Sequence, residues 1–170
     1  MRPLSEFREL AVAGATSLDQ LAVVLVEFRQ GAGPAREFRT GTVGSPAVVP
    51  PLASVLVDPG TQVVALEKSP RNPYDGFLFL GRASTCDVII RDASISKTHA
   101  VIEPSAAGWH LRDNRSRNGT WRNMDRLKEG ERVALASGDL VVLGSYPLYF
   151  LFSADLMKIL LRTSSRPSRG

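Results

Sequence analysis

Three short stretches hold the groups with chemistry to offer. They are Gly81-Arg82 after the apolar run FLFL, Ser96-Lys97-Thr98-His99 before AVI, and Ser116-Arg117-Asn118-Gly119-Thr120 after HLRD. Arg82 supplies a planar fork of N–H donors, and Lys97 a compact charge on a flexible stem. The Ser96 hydroxyl adds a donor. Asn118 adds an amide with one acceptor and two donors, able to clamp the main chain of an extended peptide. Donors of this kind suit an anionic ligand. The catalytic alternative is a nucleophile set of Ser96, His99 and Asp113. Here, however, Ser-x-x-His is flanked by strands instead of standing on the strand-to-helix turn that exposes a hydrolase serine. With two histidines, no H-E-x-x-H and no Gly-rich lysine loop for a nucleotide, metal hydrolysis and nucleotide chemistry have no candidates. The expectation is a binding protein and not an enzyme, with no metal and no cofactor.

The elements that must position these loops are short strands at regular spacing, expected at 54–57, 62–67, 76–81, 87–90, 99–103, 109–113, 132–135, 139–144 and 146–152. Turn signals separate them at Asp58-Pro59-Gly60, along 69–76 and at Ser137-Gly138-Asp139. This is an all-β pattern, two packed antiparallel sheets forming a sandwich over 52–155. Ahead of it lies an extension, 1–51. In the extension, Ser17-Leu18-Asp19-Gln20 has capping-box spacing, and Leu18, Leu21, Leu25 and Phe28 recur at helical spacing up to Gly31. Val23, Val24 and Val26 argue instead for a strand, because β-branching lowers helix propensity. A helix over 18–30 is the expectation, buried against its own domain. Residues 31–51, broken by Gly and Pro, read as a linker. After the sandwich, 156–170 holds a short closing helix along SADLMKILLR and a disordered basic tail, TSSRPSRG.

The three loop stretches, with Asn123 three residues after Thr120, resemble the forkhead-associated (FHA) domain: a strand ending in Gly-Arg, then Ser-x-x-His, then Ser-x-Asn-Gly-Thr and a later Asn. The resemblance covers about 60–153. It implies a phosphothreonine-peptide reader acting as an adaptor in Ser/Thr kinase signalling, with a kinase or its substrate as partner. A phosphate dianion carries about −1.5 to −2 charge and strong acceptor oxygens, and it needs fixed donors. By the resemblance Arg82, Ser96 and Lys97 hold the phosphate, Arg117 lies near it, and Asn118 clamps the peptide backbone. Gly81, His99, Gly119, Thr120 and Asn123 form the loop scaffold. In some relatives a threonine in an N-terminal extension is phosphorylated and binds back; Thr40 and Thr42, near Arg36 and Arg39, are the candidates here.

Two departures from the family pattern stand out. Met124-Asp125 follows Asn123 where Gly is usual, so the hairpin needs another geometry or a strained residue. Arg122 stands where an inward apolar residue is usual, which implies a shifted pairing or an exposed strand end.

Composition bounds the rest. Across 170 residues, 44% are apolar and 22% charged, ordinary for a globular domain, and the net charge of +4 favours anionic partners. Cys86 is the one cysteine, and it reads as a packed residue in a reducing, cytoplasmic compartment. No apolar run is long enough to span a bilayer, and a membrane partner is not expected. Two alternatives remain. One is a phosphate-independent scaffold or dimer using the apolar N-terminal element. The other, less favoured, is nucleic-acid binding through Arg112, Arg115, Arg117, Arg122 and Arg126 with Trp121 interleaved.

Overall fold

Alternation of apolar residues along the strands sets the architecture. The computed structural model describes residues 2–12, 23–27, 49–58 and 60–164. In chain order the elements are β1 (Arg2–Pro3), α1 (Leu4–Val12), β2 (Val23–Glu27), α2 (Leu52–Val55), β3 (Gln62–Ala65), β4 (Leu78–Gly81), β5 (Val88–Ile89) and β6 (Ala100–Ser105). There follow β7 (Gly108–Asp113), β8 (Thr120–Arg122), β9 (Asp125–Arg126), β10 (Arg132–Leu135), β11 (Leu140–Leu143), β12 (Tyr146–Phe152) and α3 (Ser153–Ser164). They form a seven-stranded sheet, β1-β3-β2-β12-β11-β8-β9, and a five-stranded sheet, β10-β7-β6-β4-β5. Among these pairs only β4 and β5 run parallel.

The seven-stranded sheet is covered on both faces. In β12, Leu148 and Phe150 point into the core between the sheets, with Leu80, Ile102 and Leu111. Tyr149 and Leu151 point the other way, into a second core with Leu4 and Phe7 of α1 and Leu156 and Leu160 of α3. Period-two alternation therefore gives β12 two buried faces. Each fully buried leucine or phenylalanine contributes roughly 1.5–3 kcal/mol, so the second core matters to stability.

Two expected elements are corrected. Val23–Glu27, read as part of a helix, is a strand between β3 and β12, with Leu25 opposite both Val64 and Phe150. Hydrogen-bonded partners on both edges, together with three β-branched valines, outweigh the helical spacing of the leucines. The capping sequence at 17–20, Thr40, Thr42 and most of the Gly/Pro-rich stretch lie outside the described residues. The run 54–57, read as a strand, is instead the end of the one-turn helix α2 and the turn after it. Pro51 (φ −55°) leads into the helix, and Leu56 N–H closes on Leu52 O at 2.9 Å. Proline presets the turn, and burying Val55 and Leu56 while Val57 stays exposed fits a helical turn. The closing helix appears as α3. Thr163 and Ser164 of the expected tail end it, and the remaining tail lies outside the described residues.

Candidate functional site

Gly81 ends β4 where two loops touch. A Cβ there would lie 2.3 Å from the carbonyl oxygen of Lys97 and 3.0 Å from Cys86 Sγ, so only glycine lets the loops close. The requirement for glycine here is close approach and not a positive φ. The contact is zipped by main-chain bonds from Arg82 N–H to Ser96 O (3.0 Å) and from Ala83 N–H to Lys97 O (2.9 Å). Arg82 also donates its Nε–H to Ile95 O at 3.2 Å. That bond aims an otherwise exposed guanidinium and leaves its terminal amino groups for other acceptors. Cys86 is buried, its thiol directed at Lys97 O (3.2 Å), and burial pushes its pKa up.

His99 is fully buried and joins two loops. Its Nδ1 accepts the Ser96 N–H (3.0 Å), so the ring proton sits on Nε2, which donates to Gly119 O (2.9 Å). Burial lowers its pKa below the ordinary value, against the raising pull of the Gly119 carbonyl and the Asp113 carboxylate. The imidazole thus meets the amide of Ser96 and not its hydroxyl, which instead accepts from Arg117 N–H at 3.0 Å. This is not nucleophile–base geometry.

Asp113, at the end of β7, anchors the next loop. One oxygen accepts from the hydroxyls of Ser116 and Thr120 (both 2.6 Å), the other from Ser116 N–H (3.0 Å). Burial works against its charge, but these donors win and its carboxyl titrates below the ordinary value. Ser116 Oγ then accepts Gly119 N–H at 2.9 Å. Asn118 donates to Ser94 O at 2.7 Å, and Ser94 Oγ accepts Ser145 N–H at 3.2 Å. Gly144 (φ +64°) sits where a Cβ would lie 2.7 Å from Ser94 O. The loop at 91–98 is therefore pinned from both sides. Asn114 adds a bond to Thr98 O at 3.3 Å.

Arg82, Ser96, Lys97, Arg117 and Asn118 are thus brought to one end of the sandwich, four of them exposed and Ser96 half-buried. Arg82, Lys97 and Arg117 have no ion-pair partner among the described residues. Gly81, His99, Gly119 and Thr120 lie beneath or within these loops. Asn123 does not. It sits at the far end of β8, donating to Asp139 Oδ1 (2.6 Å) and accepting Leu140 N–H (2.9 Å). Arg122 shares that anchor, with Nε 2.7 Å from Asp139 Oδ2, and it pairs in register with Val141, so the expected shift does not occur. The hairpin between β8 and β9 is built from Asn123 (φ 49°) and Met124 (φ 73°), the mirror-image turn with a methionine in the left-handed region.

Beside the same loop lies a groove of about 750 Å³, lined by Asp113, Arg115, Ser116, Gly119, Arg126, Leu127, Lys128 and Glu129. Of the arginines considered for nucleic acid, Arg115 and Arg126 share this groove, while Arg112 and Arg122 lie elsewhere and most of the set is paired with carboxylates. Arg112 joins Glu103, as does Arg132; Arg115 joins Glu129, and Arg122 joins Asp139. Arg112 and Arg122 belong to different sheets. Ser94, Asn114 and the anchoring role of Asp113 were not found from the sequence. The Asp113-x-x-Ser116 spacing, which suits a side-chain-closed turn, was the available signal.

A family model described as FHA domain matches residues 78–144. The chain is 37% identical over 75 residues, 44% of its length, to the ABC transporter ATP-binding/permease protein Rv1747 of Mycobacterium tuberculosis. It is 41% identical over 54 residues, 31% of its length, to the E3 ubiquitin-protein ligase rnf8-A of Xenopus laevis. These matches span 8% and 10% of those relatives. Among solved structures, the N-terminal FHA domain of Rad53p from S. cerevisiae, in complex with a phosphothreonine peptide, aligns at a TM-score of 0.47 and 20% identity. That alignment covers 57% of this chain and 89% of that one.

Proposed function

We infer, from the match of residues 78–144 to the FHA-domain model, that this chain reads phosphothreonine in partner proteins, as an adaptor in Ser/Thr kinase signalling. The observation that carries the reading is the convergence of Arg82, Ser96, Lys97, Arg117 and Asn118 on one end of the sandwich. Their loops are tied together by His99 and Asp113. In this reading the Arg82 fork and the Lys97 ammonium take the phosphate oxygens. Ser96 already accepts from Arg117 N–H, so its own proton is left to donate. Asn118, held by Ser94, grips the main chain of the peptide. Charge-assisted bonds of this kind are each worth about 1.5–3 kcal/mol. Less ordering costs, low-micromolar affinity, about 8 kcal/mol, is the scale to expect. The partner is a Ser/Thr kinase or its substrate, and the compartment a reducing cytoplasm, a setting supported by a lone buried thiol. No helix among the described residues is long and apolar enough to cross a membrane.

The test is calorimetric titration of the full chain with a phosphothreonine-peptide library, its phosphoserine and unphosphorylated counterparts, and the same series on Arg82→Ala. Micromolar binding that requires phosphothreonine and weakens at least about tenfold in the variant is expected, since one charge-assisted contact is removed. Binding indifferent to phosphorylation overturns the reading.

A further inference from the structure

The groove beside the 116–119 loop is assigned no role by this reading. Its walls carry three cations and two carboxylates: Arg115, Arg126 and Lys128 against Asp113 and Glu129. Both carboxylates are already engaged. Asp113 accepts from Ser116 and Thr120, and Glu129 meets Arg115 at 3.1 Å in a largely exposed pair that an arriving anion can displace. Arg126 and Lys128 have no ion-pair partner among the described residues. Arg126 is also held in place. Its guanidinium carbon stands 5.5 Å from the centre of the Trp121 ring. Its Nε and Nη2 lie 2.8 and 3.0 Å from where a Cβ on Gly119 would be, so the absent side chain makes room for it. A cation stacked and packed in this way loses little freedom on meeting a ligand.

Position gives the groove its meaning. Ser116 and Gly119 line it, while Arg117 and Asn118, between them, belong to the peptide-binding face. A peptide extended at about 3.3 Å per residue and clamped at Asn118 brings its next few residues over this wall. We propose that the groove is a second anion subsite. It takes an acidic or phosphorylated side chain near the phosphothreonine, and Arg126 and Lys128 make the protein select acid-flanked peptides. The proposal rests on the phosphothreonine reading above and deepens it.

The experiment is fluorescence anisotropy of the full chain with three phosphothreonine peptides: one with neutral flanks, one with glutamates on the N-terminal side and one with glutamates on the C-terminal side. Each is paired with its unphosphorylated form. One acid-flanked peptide is expected to bind about fivefold to twentyfold tighter than the neutral one, the scale of two partly solvated charge contacts. In Arg126→Ala/Lys128→Ala and in Arg126→Gln/Lys128→Gln, that advantage falls below about twofold, while the neutral-flank peptide keeps its affinity within a similar margin. The subsite is overturned if neither acid-flanked peptide gains or if the gain survives both double variants. It is also overturned if both variants weaken all phosphopeptides alike, since these residues then support the loop and do not read the flank. Failure of the phosphothreonine reading looks different: no peptide distinguishes itself from its unphosphorylated form.

Discussion

Protonating His99 would destroy the acceptor that holds Ser96, because Nδ1 cannot both take the Ser96 N–H and carry a proton of its own. The folded protein therefore keeps the ring neutral, and burial lowers its pKa below 6.5. The unfolded chain binds that proton more readily, so stability present above about pH 6.5 is lost progressively as pH falls toward the folded value. Asp113 and Asp139, both held below the ordinary carboxylate value, add a second loss only in the more acidic range below about 4. Urea unfolding of the unliganded protein should show stability dropping from pH 7.5 to 5.5 in the wild type, and much less in His99→Ala at its own lower baseline. Ligand-free unfolding is the measurement to use, since phosphate itself gains a proton near pH 6. At this scale the sequence was informative where one motif carries both partners of an interaction, as with Ser96 and His99. It was silent on Ser94, whose partners Asn118 and Ser145 come from remote turns.

The hairpin joining β8 to β9 shows what an element tolerates to keep its register. Asn123 accepts the left-handed region readily and is tied to Asp139 and Leu140, whereas Met124 at φ 73° has no such compensation and is exposed. A residue with a Cβ loses roughly 1–2 kcal/mol there, while glycine costs about 0.4–1 kcal/mol in unfolded-state entropy. Met124→Gly should therefore stabilise the protein by about 0.5–1 kcal/mol, read as a higher urea midpoint at unchanged slope, with phosphopeptide affinity unmoved. Elements were legible where an apolar, β-prone run lasted long enough between turn signals, as in β6, β11 and β12. β8 and β9 were too short to show a period, and β2 carried a helical leucine spacing that only its partner strands override.

Across the whole molecule the first residues are structural parts of the sandwich. β2 lies between β3 and β12, and α1 and α3 together cover the outer face of the seven-stranded sheet. Removing 1–51 would leave β3 and β12 with unpaired edges and open the second core around Leu151 and Leu156. Thermal melting of residues 52–170 beside the full chain should show the fragment aggregating or melting far lower. A fragment as stable as the parent would mean the N-terminal strands contribute little. The sequence set these residues apart as an extension because the Gly- and Pro-rich stretch reads as a boundary. A sheet can close across such a stretch, and composition does not record that closure.

The position of β2 also fixes a timetable. Its partner β12 is the last strand of the described residues, so at about 5–20 residues per second β2 waits on the order of ten seconds during synthesis before the pairing can form. Through that interval VVLVE, a β-prone segment, has no native neighbour on one side and meets β3 on the other only after the intervening chain has emerged. The site loops, built from nearer neighbours in β4 to β8, are also completed late, because Ser145, in the turn between β11 and β12, pins Ser94. Pairing of β2 with β12 is thus a long-range closure, of the kind that slows folding.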